Sequence, residues 1–567
     1  MQEYKEVLPS NTVREAREIW NNSLNTLRST HAGTDFPTEN LVLGMKCFRT
    51  DEKKTYTLVS LDPLEWAVEA SGGSVELTPE LEEAIKKYLV NSQTYLGFVG
   101  KEALGRLTDW TGLFNRAVFL ESVDFADLGS GAKVTNMSKL FHDCVSLKTV
   151  LNINLPKDHP VKDVNGMFSE CTKLSVLDMS KFYAGKVENF SEMFSDCREL
   201  KKLDVSEWQM GRAVTMRGMF RNCDQLEALD VSKWNVSNCT NFAEMFRDCP
   251  RLRGLVFSSW DTSKATAMGG MFRSCGTMTV RGGEGENHGS FFIPYAIPLK
   301  LDLTAFDLSN VETTSHMFSY ARVQLTIGEK MRKTSKCKNM SSMFLNFRAD
   351  TEPVIAGDDY NPSVMGTDYR GIPCKKSIFT SFDLSSVENM SSMFEGNTIV
   401  NCVLNDSFTE KKDQTSRGLI FHVSTPKTQR IARLFASTNG AQFIDFFMDM
   451  GNIQDMTGLF DGATAEFIRL RNFDTRNLSM GWMVNNPLEG IFRGCRNVRY
   501  LIVDDTTFRF KLLSDILADL PTECRFIVPR AMIPVYKGQD FWKNYPDRFL
   551  AMEDCTLFGA YVRSVPT

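Results

Sequence analysis

Histidine is scarce. The 567-residue chain holds 6, at His31, His142, His159, His288, His316 and His422, with no repeated Ser or Asp companion. No nucleophile–base pair is visible in that pattern. Among the 14 cysteines there is no Cys-x-x-Cys pair and no Cys–His cluster at ligand spacing, which argues against zinc. Positive charge is not in excess either: 65 Lys and Arg face 70 Asp and Glu, a formal charge of −5. That balance supplies no basic field for nucleic acid or an anionic membrane. No run of about 18 apolar residues exists, so membrane insertion is not expected. Met1 to Val7 shows no apolar core of an export signal. Gly282-Gly283-Glu284-Gly285 lacks a following Gly-Lys-Ser/Thr and reads as a loop rather than a phosphate cradle. Neither an enzymatic activity nor a cofactor is expected.

What the chain has in abundance is Phe, 41 residues, and Met, 27. Both belong to a repeat. A Met-Phe or Leu-Phe pair places its Phe at 114, 141, 168, 194, 220, 246 and 272, in steps of 26 or 27. It continues at 318, 344, 394, 435, 460 and, as Ile-Phe, 492, which makes thirteen copies. Three residues after the Phe stands a Cys in seven copies: Cys144, Cys171, Cys197, Cys223, Cys249, Cys275 and Cys495. Leucines follow at six and nine, then Asp178, Asp204 and Asp230, then the aromatics Phe182, Trp208, Trp234 and Trp260.

Phe242, Met245, Phe246 and Cys249 fall at i, i+3, i+4 and i+7, one apolar face of two helical turns. Asn136, Asn189, Asn241, Asn339 and Asn389, five before the Phe, are placed to cap that turn. The Leu-x-x-Leu-Asp half predicts a brief strand. A unit of about 26 residues cannot bury its own apolar face, whereas a stack can share one core. The predicted architecture is an α/β solenoid, with short parallel strands on one side and helical turns on the other.

Asn339 to Phe344 (NMSSMF) and Phe382 to Phe394 (FDLSSVENMSSMF) resemble the BspA-type leucine-rich repeat of bacterial surface proteins. The resemblance covers about residues 105–510. It implies an adhesion or recognition surface, displayed outside the cell, without catalysis. Arg525 to Pro529 (RFIVP) with Tyr536, Trp542 and Tyr545 is similar to the closing segment of such arrays, so 511–567 is assigned as a C-terminal cap. Extra residues near 276–305, 345–381 and 396–430 predict loops leaving the array, a common place for binding.

Residues 1–66 differ. Thr12-Val13-Arg14-Glu15 reads as a capping box opening a helix with Val13, Ala16, Trp20, Leu24 and Leu27 on one face. His31 to Pro37 reads as loop, followed by a hairpin of Leu41 to Arg49 and Thr55 to Val59. Leu27-Arg28-Ser29, Gly33-Thr34, Phe36-Pro37, Gly44-Met45, Arg49-Thr50-Asp51, Tyr56-Thr57-Leu58 and Trp66 resemble the amino-terminal module of phage and prophage tail-fibre proteins. That resemblance implies virion attachment, commonly as a trimer, and makes Trp20, Leu24, Leu27, Phe36, Met45 and Tyr56 the candidate attachment residues. Residues 67–104 are assigned as a linker and an N-terminal cap helix, opened by Thr78-Pro79 and carrying Leu81, Ile85, Tyr88 and Leu89.

Two columns are candidate ligand sites. Trp208, Trp234 and Trp260 could stack on sugar rings or fill the core of their own repeats. Asp178, Asp204 and Asp230 could line a cation face, or be satisfied by neighbouring Ser and backbone groups. The repeated Cys reads as a small hydrophobe, and the Asn-x-Ser/Thr triplets recur because the cap position recurs.

Three functions follow. The first is a phage tail-fibre-like receptor-binding protein of the virion, assembled in the host cytoplasm and contacting a host surface protein or glycan by avidity, with other tail proteins as partners. The second is a BspA-like adhesin of the bacterial cell surface. The third, least supported, is a polysaccharide depolymerase, for which no converging carboxylates stand out.

Overall fold

The computed structural model describes residues 108–125, 133–257, 260–276, 299–349, 382–397, 418–441, 443–478 and 486–555, with short strands outside these ranges. Among the described residues thirteen coils stack one upon the next. A single column of rings runs through all of them, from Phe114 and Phe141 (centroids 5.1 Å apart) to Phe460 and Phe492 (6.1 Å). The insertions do not break it. Phe272 stacks on Phe318 at 5.7 Å and Phe344 on Phe394 at 6.1 Å, although 46 and 50 residues separate them.

The predicted helical turns are absent. In every coil the residues two before and two after the Phe have positive φ, as in Glu192 (55°) and Asp196 (61°), or Gly218 (59°) and Asn222 (57°). A left-handed residue every fourth position cannot belong to an α-helix. The segment is instead a chain of tight turns, with Leu140 N–H donating to Met137 O, His142 to Lys139 and Cys144 to Phe141. Alternate N–H groups point along the stack and donate to the next coil: Met137 to Asp163 O (3.0 Å), Lys139 to Asn165 O (2.7 Å), Phe141 to Met167 O (2.8 Å) and Asp143 to Ser169 O (2.8 Å). Repeated turns of three to four residues bury Phe242, Met245, Phe246 and Cys249 as a helix would. Periodicity alone therefore could not separate the two.

The Leu-rich halves form parallel strands as expected. Ser122–Asp124, Thr149–Leu151 and Val176–Leu177 make one sheet, and Ala228–Leu229, Gly254–Leu255, Leu299–Leu303, Arg322–Ile327 and Arg348–Ala349 another. The third, from Cys402–Asn405 through Gly418–Val423, Phe443–Met448, Phe467–Arg471 and Tyr500–Val503, continues into Arg525–Val528 and Phe549–Ala551. The closing segment thus extends the sheet by two strands. Between them lies the five-residue helix Ile533–Lys537, with Tyr536 and Trp542 buried edge-to-face against Phe508, Phe510 and Phe526.

Near the N-terminus, His31–Gly33 pairs in parallel with Lys46–Arg49, which pairs antiparallel with Lys54–Leu61, itself antiparallel to Leu64–Val68. His31–Gly33 is strand where loop was expected, and residue 66 falls inside a strand rather than at a boundary. The helices expected from Thr12 and from Thr78 lie outside the described residues.

Candidate functional site

Each coil has an inside that is filled and an outside that is patterned. Trp208, Trp234 and Trp260 are buried and stack on one another at 6.2 and 6.3 Å. Phe182 closes one end of the column at 5.2 Å and Phe306 the other at 5.9 Å. The indole Nε1 of Trp234 donates to Val205 O (2.9 Å) and that of Trp260 to Val231 O (3.0 Å), both in the preceding coil. Ring faces covered by other rings offer nothing to a sugar, so these tryptophans fill the core.

The cysteine column has a second role beyond packing. Each thiol donates to the carbonyl of the Phe one coil back: Cys144 to Phe114 (2.9 Å), Cys223 to Phe194 (3.2 Å), Cys249 to Phe220 (3.0 Å) and Cys495 to Phe460 (3.0 Å). Burial pushes the Cys495 thiol up to about 12 and raises those of Cys171, Cys223 and Cys249 as well. These groups stay protonated and unreactive at neutral pH.

Asp178, Asp204 and Asp230 lie on the surface and are satisfied locally. Their Oδ1 atoms accept the N–H two residues on, from Ser180 (3.0 Å), Ser206 (3.1 Å) and Ser232 (3.0 Å), and Asp230 also accepts the Ser232 hydroxyl at 2.6 Å. Hydrogen bonds from Ser180 and Ser232 hold the Asp178 and Asp230 carboxyls below the ordinary range. Among the described residues no three His, Cys, Asp or Glu gather to hold a metal. The Asn column works the same way. Asn136 Oδ1 accepts Ser138 N–H (2.8 Å) and Asn389 Oδ1 accepts Ser391 N–H (2.9 Å), a two-residue bracket rather than a helix cap. The backbone of this column bridges in parallel from Asp109 to Asp455.

Of the candidate attachment residues, Tyr56 lies in the strand Lys54–Leu61, opposite Cys47 and Val68. Trp20, Leu24, Leu27, Phe36 and Met45 lie outside the described residues. The insertions are shorter than expected. Arg348–Ala349 still belongs to the coil of Phe344, and Leu299–Leu303 and Gly418–Val423 are already coil strands again.

The face that sequence reasoning missed is the turn side, built from positions two before, one after and two after each Phe. Its sequence signal is an alternation of Gly with a long polar residue: Gly112, Lys139, Gly166, Glu192, Gly218, Glu244, Gly270. A Cβ at Gly218 or Gly270 would meet the Cγ of Glu192 or Glu244 at 3.3 Å, so the glycines make room for the neighbouring coil's side chain. An ionic ladder results. Arg217 pairs with Glu192 (2.8 Å), Arg247 with Glu244 (2.7 Å) and Asp248 (3.0 Å), and further along Arg433 with Glu395 (2.7 Å) and Asp461 (3.1 Å). Beside it, Ser175, Arg198, Glu199, Lys201, Asp224 and Gln225 border a shallow, charged cleft. The other exceptional face is outward on the last sheet, where Phe443, Phe467, Ile502 and Ile527 form a second apolar cluster next to the Asp445–Arg471 pair at 2.7 Å.

Residues 108–228, 192–286, 214–355 and 369–426 match a family described as "Mycoplasma protein of unknown function, DUF285", and together they span more than half of the chain. Among solved structures, a leucine rich cell surface protein from Faecalibacterium prausnitzii A2-165 aligns at 12% identity over 80% of this chain and 86% of its own, with a TM-score of 0.26. That likeness is too slight to bear on function. No curated protein matches.

Proposed function

The chain belongs to the DUF285 family of Mycoplasma proteins of unknown function, and from that footing we propose that it is a recognition protein displayed on the bacterial cell surface. One observation carries the reading: the Phe column continues without a break across the insertions that leave the coils between Phe272 and Phe435. A core shared coil by coil lets segments be added at a coil's edge while the scaffold keeps its register. That is how repeat proteins present binding surfaces. The outward columns, repeated at the coil spacing, suit a partner that is itself periodic, a surface protein or a glycan, bound through many weak contacts. The role is binding without catalysis. The virion-tail setting is the weaker of the two, because the family match begins at residue 108 and the tail-fibre resemblance rests on seven short matches before it.

The experiment is protease shaving of intact producing cells, followed by mass spectrometry. Peptides of the coils released from intact cells support display at the surface. Release only after lysis, or co-sedimentation of the chain with phage particles, overturns it.

A further inference from the structure

On the turn face the arginine one residue after Phe220 is held between acids of the two adjoining coils. Arg221 lies 3.9 Å from Glu192 in the coil before and 3.5 Å from Glu244 in the coil after, with its Nε donating to Ser195 Oγ at 3.2 Å. Two coils on, Arg273 holds the same place, beside Gly270 as Arg221 is beside Gly218. Glu244, on its preceding side, is already engaged by Arg217, Arg221 and Arg247. On its following side the position that Glu244 fills for Arg221 is taken by His316. Gly270 N–H donates to Ser315 O (2.7 Å) and Ser274 N–H to Ser319 O (2.8 Å), which sets His316 and Ser319 against the Arg273 coil.

Three polar atoms on these two stacked coils are left over. The Arg273 Nε, the His316 Nδ1 and the hydroxyl of the fully buried Ser319 are all buried without a hydrogen-bond partner. Burial first, then the charges of Arg273 and Arg247 against the opposing Glu244, keep His316 below its ordinary pKa. Beside them stands Tyr320, 44% exposed, at φ 58°. The other twelve coils place Arg, Asp, Glu, Asn, Ser or Gly at this left-handed position. A bulky aromatic there is strained, a mark of a functional constraint.

We propose that the step between Phe272 and Phe318 binds an acidic sugar, its carboxylate received by Arg273, His316 and Ser319 and its ring laid on Tyr320. A guanidinium that lacks its second acid takes a carboxylate in the geometry its sister arginine already uses. An exposed phenol ring supplies the flat apolar surface that sugar C–H groups seek. The inference deepens the surface-recognition reading by naming its ligand class.

The test is isothermal titration of the full chain with a glucuronate-containing oligosaccharide, its carboxyl-reduced counterpart and an acidic peptide of equal charge. The acidic sugar is expected to bind, and the reduced sugar at least about 10-fold more weakly. Arg273→Gln is expected to weaken the acidic sugar by about 10- to 100-fold, the range for a lost charge-assisted hydrogen bond. Tyr320→Asn, which suits the left-handed backbone better, is expected to raise thermal stability while weakening the sugar. Equal binding of acidic and reduced sugars, binding unchanged in both variants, or peptide binding that ignores Tyr320→Asn overturns the proposal. Protease shaving is indifferent to all of these, so the wider reading stands or falls separately.

Discussion

A coil of 26 residues turns its backbone so often that many N–H and C=O groups would be left unpaired, and small polar side chains take them up. In seven coils the thiol at the third residue after the Phe holds a carbonyl of the coil before. The Asn and Asp columns hold an N–H two residues ahead. Cys is suited to the first task because it is small and apolar enough for the core yet carries a weak donor. The Ser two residues after each Asp was legible in the sequence. The thiol's partner was not, since it sits about 30 residues away. Asp505 breaks the rule. Its Oδ2 is buried without a partner, and burial, followed by the charge of Asp504, raises its carboxyl to about 6. A carboxyl raised in the folded state contributes stability below the unfolded value near pH 4, which is lost as the pH climbs through 6. Asp505→Asn is therefore expected to stabilise the fold by about 1–2 kcal/mol at neutral pH and by nothing near pH 4. Melting temperatures of both proteins across pH 4–8 check this, and an equal difference at both ends would refute it.

At the scale of the element, an apolar spacing of three and four residues suits both a helix and a run of tight turns. What decides between them is the left-handed pair in every coil. The glycines among these positions were visible in the sequence, but Lys139, Glu192, Glu244 and Arg433 have good helix propensity and hid the pattern. Each conformational cost is met by an N–H turned toward the next coil, a gain that exists only once the coils stack. Gly276 shows how tight that contact is. At φ +68° its added Cβ would come within 2.2 Å of the Arg322 carbonyl oxygen, whereas a Cβ at Gly451 would meet nothing within 4 Å. Gly276→Ala is expected to cost about 2–4 kcal/mol, and Gly451→Ala less than about 0.5 kcal/mol. Chemical denaturation of the two variants decides it; similar midpoints would mean that the coils on either side of the insertion yield easily.

For the whole molecule, stability is a sum of coil-to-coil contacts, so the ends matter most. Trp542, fully buried against Phe510, Phe526 and Tyr536, closes the C-terminal end. Trp542→Ala is expected to cost about 3–5 kcal/mol locally. Hydrogen exchange should then rise in Tyr500–Val503 and Arg525–Val528 while the coils around Phe194 to Phe246 keep their protection. A uniform loss would show that the stack unfolds as one unit. The sequence by itself determined the number of coils, their period, the residues that face inward and the parallel strands, because burial in a stack forces one pattern on every copy. Only the tertiary structure decided that the other half of each coil is turns rather than helix, that the tryptophans are covered, and that the coil of Arg273 stacks directly on the coil of His316, Ser319 and Tyr320. Residues 273 and 316 are neighbours only across an insertion, and spacing along a chain carries no sign of what a neighbouring coil leaves unpaired.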